Sequence, residues 1–166
     1  MQIQNTKDFL AYYARIRQRT LKVIDCIPQD QLEWTPQVGR FTLGDQVRHI
    51  AAIERYMYAE TILGKPSRYR GCGSELAEGF EETLAFMNRL REESIAIFRS
   101  LSAAQLNEKC LTPTGHPITI WKWLRALIEH EIHHRGQIYL YLGLLEVKTP
   151  PIFGLTSEEV AALSDQ

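Results

Sequence analysis

The sequence predicts an all-α fold, a four-helix bundle closed by a short C-terminal helix, on three observations. Four long segments carry apolar residues at helical spacing, turn-forming residues separate them, and no segment shows a convincing polar–apolar alternation with a period of two. The chain has 166 residues, 45% of them apolar and 23% charged. Those are ordinary values for a globular protein, and the length suits a single domain spanning 1–166.

In the first segment Phe9, Tyr13, Ile16, Thr20, Ile24 and Ile27 recur at spacings of three and four, and Pro28 closes the run. The second opens at Thr42, where Thr42-Leu43-Gly44-Asp45 reads as a capping box. Its stripe is Leu43, Val47, Ile50, Ile53 and Met57, and Gly64 and Pro66 stop it. The third is expected from Ser74 to Leu101, with Leu76, Phe80, Leu84, Met87, Leu90, Ile97 and Phe98 on one side. The fourth follows Pro117, with Thr119 as its expected cap, and runs to about Glu146. Connectors 28–41, 65–73 and 102–117 hold prolines and glycines, the last with a turn at Thr114-Gly115. After Pro150-Pro151, Thr156-Ser157-Glu158-Glu159 reads as a second capping box opening one short helix.

Composition excludes several classes. With 19 basic and 20 acidic residues the formal charge is −1, so no nucleic-acid footprint is expected. No run approaches the length of a spanning helix, so no membrane partner is expected. The opening residues lack a signal-peptide pattern. Cys26, Cys72 and Cys110 are widely spaced and odd in number, which speaks against a disulfide framework and for a reducing cytoplasm. Cys72, between glycines, reads as a surface thiol.

The chemistry concentrates in Glu129-His130-Glu131-Ile132-His133-His134. With about 100° per residue, His130 and His134 lie about 40° apart on one helix face, one turn apart along the axis, a spacing that lets two imidazoles share a metal. His133 turns to the far side and reads as solvated, and His116 reads as a loop residue. The inward stripe of this helix is Ile120, Leu124, Leu127, Glu131, Ile138, Leu142 and Leu145. Glu131 therefore falls near the centre of an apolar face, where a carboxylate needs a partner or a metal. His49 lies near the start of the second helix; if that helix packs beside the fourth, three imidazoles converge. Three neutral histidines leave one coordination position open, the pattern of a catalytic rather than a structural site. Imidazoles suit zinc, nickel, copper or iron.

The run His130-Glu131-Ile132-His133-His134-Arg135-Gly136-Gln137 contains H-x-x-x-H-R-G-Q and resembles the last-helix signature of the DinB/YfiT-like family of metalloenzymes. Val47-Arg48-His49-Ile50 is similar to that family's second-helix motif, and Tyr141-Leu142-Gly143 through Pro150-Pro151 resembles its usual ending. The resemblance implies an up-down-down-up bundle, a metal held by His49, His130 and His134, and a homodimer. It gives Gly136 a packing role and has Arg135 and Gln137 hold the bundle or the dimer together. The same residues also match the H-E-x-x-H of zinc peptidases, but no third histidine follows His134, and no strands are predicted to hold a peptide.

Family members of this kind include thiol-dependent S-transferases and isomerases. The expectation is therefore a metal-dependent enzyme joining a low-molecular-weight thiol to a small electrophile, with one divalent transition metal, zinc or nickel first. Glu131 is expected as acid/base or as a partner of the ligands, with Glu54 as a weaker candidate. A metal-dependent hydrolase and a non-catalytic, metal-stabilised binding protein are the alternatives. Trp34, Tyr56, Tyr58, Trp121 and Trp123 are candidates for the pocket mouth, although aromatics at helical spacing more often fill cores.

Overall fold

The computed structural model describes residues 2–164. Helix α1 is Thr6–Ile24, with the Asn5 side chain accepting from the Asp8 amide as its cap. Helix α2 is Leu43–Ile53, continued through a π-helical stretch Glu54–Ala59 into a last α-turn Glu60–Ile62. Helix α3 is Gly79–Arg99, α4 is Ile120–Leu144 and α5 is Ser157–Ser164. Both expected capping boxes form, Thr42 with Asp45 and Thr156 with Glu159.

Cross-helix pairs fix the directions. Phe9 early in α1 packs edge-on to Phe98 late in α3, so those two run antiparallel. Arg48 reaches Thr83 and Arg55 reaches Glu93, so α2 and α3 run parallel. Gln46 meets His134 while Thr61 meets Trp123, so α2 and α4 are antiparallel. The order is up-down-down-up. Because α2 and α3 are parallel, the connection 63–78 has to return along the bundle's length, which brings loop residues alongside the start of α2.

The core has two apolar halves. One gathers Phe9, Tyr13, Ile16, Phe98, Leu124 and Leu127; the other gathers Val23, Ile24, Val47, Ile50, Leu90, Ile138 and Leu142. The chain positions between them carry buried polar groups: Arg17 and Thr20 on α1, Glu54 on α2, Ser94 on α3, Glu131, His134 and Arg135 on α4. The bundle is thus cut at mid-height by a polar layer.

Four local expectations are corrected. Segment 109–119 holds an antiparallel hairpin, β1 Lys109–Leu111 with β2 Pro117–Thr119; strands of three residues are too short to display a period. Thr119 makes no side-chain cap, because α4 follows the strand directly and the Ile120 amide is taken by the Glu108 carbonyl. Helix α3 starts at Gly79 rather than Ser74: Ser74–Leu76 is a 3₁₀ turn, and the Ala77 carbonyl turns to accept from Arg48. Cys72 is buried, not a surface thiol.

Candidate metal centre

His49 is carried one and a half turns into α2, and His130 and His134 one turn apart on α4. Antiparallel packing of the two helices brings the three together, with one ligand nitrogen from each, all within 4.8 Å of one another. The Nε2 atoms of His49 and His130 face each other at 3.0 Å. Ring centroids are 4.9 Å apart for His49–His130, 4.5 Å for His49–His134 and 4.4 Å for His130–His134. His49 and His130 are half-buried and His134 is buried.

Two neighbours orient the rings. The Gln46 carboxamide oxygen lies 2.6 Å from His134 Nδ1, so Nδ1 donates and Nε2 is left as the lone pair. The Tyr69 hydroxyl lies 2.7 Å from His49 Nδ1, leaving that ring's Nε2 toward His130. His130 Nδ1 is buried without a hydrogen-bond partner among the described residues. Phe41 and Tyr58 flank the cluster, at 5.3 Å from His49 and 6.1 Å from His130. Of the expected mouth aromatics, Tyr58 reaches the site with Trp123 packed against it, whereas Trp34 packs on Tyr141 and Tyr56 lies under Arg68.

The donor set fits a divalent transition metal. Burial lowers His49 from an ordinary 6.5 to about 4. Burial, then the neighbouring imidazoles, lower His130 to about 3 and His134 to about 4. All three are neutral at pH 7, the form in which an imidazole can ligate, and one ring nitrogen from each converges on a common point.

Each ring is neutral in the folded metal-free protein but protonates below about 6.5 when unfolded, so the unfolded state gains protons first as pH falls. Metal-free stability is expected to be fully present above about pH 6.5 and to fall as pH drops towards the folded values of about 3 to 4. Urea midpoints across pH 7 to 5 check this, and His130→Ala should flatten the slope. An equal slope in that variant would contradict it.

Glu131 does not join the three histidines. Its carboxylate receives Arg17 Nε and NH2, both at 3.0 Å, and Thr20 Oγ1 at 2.7 Å. Burial pushes this carboxyl up, but Arg17's charge and hydrogen bonds, with Thr20, outweigh it and leave the group below its ordinary value. Glu54 shares the arrangement: its Oε2 accepts from Arg17 at 2.6 Å and Tyr13 at 3.0 Å, its Oε1 from Arg91 at 3.2 Å. Both glutamates expected as acid/base candidates are thus ion-paired in the bundle's mid-plane, and the partner that Glu131 required is Arg17.

Among the described residues of this chain a Cβ at Gly136 would meet nothing within 4 Å. Close approaches occur at Gly44, where a Cβ would stand 2.8 Å from Glu33 Oε1 and 2.9 Å from Arg48 NH2, and at Gly73, where it would overlap the Glu75 carboxylate. Arg135 is buried, and its NH1, like Gln137 Oε1, lacks a partner among the described residues. His133 and His116 are exposed, as expected. Sequence reasoning missed Gln46 and Tyr69. Gln46 sits three residues before His49, a spacing that places it on the same helix face, but Tyr69 lies in an irregular loop and gave no signal.

Comparison with known proteins adds the family. The sequence model described as the DinB superfamily matches residues 12–138. YjoA of Bacillus subtilis is 25% identical over 143 residues, covering 82% of this chain and 88% of that protein. The crystal structure of a DinB-like protein from Bacillus cereus superposes with a TM-score of 0.75 at 18% identity, covering 89% of this chain and 97% of the other. A mycothiol-dependent maleylpyruvate isomerase superposes with a TM-score of 0.53 at 16% identity, covering 82% of this chain and 63% of that enzyme.

Proposed function

This chain belongs to the DinB superfamily, and from that premise we propose that it is a metal-dependent enzyme that joins a low-molecular-weight thiol to a small electrophile. The observation that carries the reading is the convergence of His49, His130 and His134, with ligand atoms within 4.8 Å, on a half-exposed face of the bundle. The similar fold of the mycothiol-dependent isomerase supports the choice of a thiol over water as the nucleophile.

His49, His130 and His134 would hold the metal, zinc or nickel, through neutral imidazoles. Gln46, accepting from Nδ1, sets the His134 tautomer and raises the basicity of its Nε2, and the Tyr69 hydroxyl holds the His49 ring plane. When bound, the metal supplies Lewis acidity at an open position, lowering the pKa of a thiol presented there. The thiol's proton leaves to solvent through the half-exposed side of the cluster. The sulfur lone pair forms the new carbon–sulfur bond, and the bonding electrons depart with the leaving group or stay on the substrate in an addition. Phe41 and Tyr58 border the reacting volume and limit water there. Glu131 acts as a positioning residue: by clasping Arg17 it sets the rotation of α4 that points both α4 histidines at His49. The reading includes a homodimer, for which the exposed apolar side chains Ile132, Leu140 and Leu144 of α4 offer a surface.

Metal content by mass spectrometry, on protein purified without a histidine tag, is the first test. About one transition metal per chain is expected, lost in His49→Ala and His130→Ala while the helical signal persists. Metal that never binds, even when zinc or nickel is added back, would overturn the reading. Turnover of electrophiles by loaded protein only when a thiol is present separates the transferase from a hydrolase; no turnover under either condition leaves a metal-stabilised binding protein.

A further inference from the structure

A cleft of about 650 Å³ lies between the end of α2, the connection that follows it and the β1–β2 hairpin. Among its lining residues are Lys65 and Lys109, and no Asp or Glu. Neither lysine has an ion-pair partner among the described residues. The acid nearest in sequence to Lys65 that is buried, Glu60, is already held by Arg55 at 2.5 Å and Arg68 at 2.6 Å, so it does not neutralise the lysine. A chain of net charge −1 thus carries a concave surface lined by uncompensated positive charge.

Tyr69 ties this cleft to the histidines. It forms part of the cleft wall, and its hydroxyl is 2.7 Å from His49 Nδ1. A ligand lying in the cleft therefore has two lysines and, in its wall, a tyrosine bonded to His49 on the ring nitrogen that faces away from the other histidines. The volume suits a molecule of about tripeptide size, within the usual range for small-ligand sites of about 300–1,000 Å³.

We propose that this cleft is the binding site for a carboxylate-bearing small molecule, held by Lys65 and Lys109 and lying against Tyr69. The carboxylate end alone decides binding to the lysines, so recognition in the cleft is separable from chemistry at the histidines.

The test uses S-methylglutathione, whose sulfur cannot ionise and whose carboxylates are intact, beside its diethyl ester. Binding is followed by amide chemical shifts on the full chain, in the wild type, in a Lys65→Glu/Lys109→Glu variant and in His130→Ala. Shifts confined to 61–69 and 109–115 are expected for the acid. Affinity should fall about tenfold or more, both for the ester and for the charge-reversed variant. His130→Ala should bind as the wild type does, because the histidine site is not needed for capture of the carboxylate. Equal binding of acid and ester, shifts outside the cleft, or no binding of the acid would each overturn the proposal. None of those three outcomes bears on whether the histidines hold a metal, which mass spectrometry reads independently.

Discussion

Arg17→Met is expected to destabilise the protein by about 3–5 kcal/mol, the cost of breaking a buried ion pair from one side. Arg17 is buried at 6% exposure and is the cation between two buried carboxylates, Glu54 at 1% and Glu131 at 0%. Methionine fills similar volume, so the loss is mainly electrostatic rather than a cavity. Glu54 keeps Tyr13 and Arg91, whereas Glu131 keeps Thr20 alone. Glu131 therefore bears most of the penalty, and its pKa should rise above the ordinary carboxylate value, since burial is then opposed by little else. The double variant Arg17→Met/Glu131→Gln should recover a large part of the loss, because an uncharged amide needs no counter-ion. Urea unfolding of the four members of the cycle measures this. Additive effects in the double variant would show that Arg17 and Glu131 are not energetically coupled.

Arg48→Met should lose about 3 kcal/mol or more, for a different reason: an arginine that acts as a clamp on loops rather than as a counter-charge in the core. Its side chain is fully buried. Nε donates to the Cys72 carbonyl at 2.9 Å and NH1 to the Ala77 carbonyl at 3.1 Å, while Glu33 takes both terminal nitrogens at 2.9 Å. Removing the guanidinium leaves the Cys72 carbonyl without a donor, at a cost of about 1–3 kcal/mol if it stays buried, and leaves the Ala77 carbonyl only Thr83 Oγ1 at 3.4 Å. Lysine is no remedy, since one ammonium cannot reproduce the planar fork, and Arg48→Lys should fall close to Arg48→Met. The clamped connection carries Tyr69, which bonds His49, so on the proposed function the metal should also be held more weakly, by about 10–100-fold as for other lost outer partners of a ligating histidine. Metal titration of refolded variants reads the second effect. Unchanged metal affinity beside lowered stability would confine Arg48 to the loops.

Spacing on a helix is fixed by backbone geometry, which is why the His130–His134 pair, the capping boxes and the four apolar stripes could be read from residue order. The convergence of His49 on that pair depends on which helices are neighbours, and residue order does not fix it; the family resemblance supplied that step. The buried charges were half legible. Glu131 and Glu54 stand out as acids on apolar faces, but Arg17 follows Ile16 at the edge of its stripe and reads as a solvated side chain until the other helices are in place. Tyr69 and the hairpin lie where neither period nor capping chemistry operates, so their positions follow only from the return of the connection along the bundle.

The π-helical stretch at Glu54–Ala59 makes α2 two helices of different phase joined end to end. His49 in the first half faces α4, and Thr61 in the second half still reaches Trp123 on the same neighbour. A regular α-helix would carry each later residue about 100° per step from a fixed start, so one residue fewer between them would rotate the whole distal half by about that amount. The wider turn takes up that rotation, so the histidine near one end of the helix and the cleft-lining threonine near the other are both presented to α4.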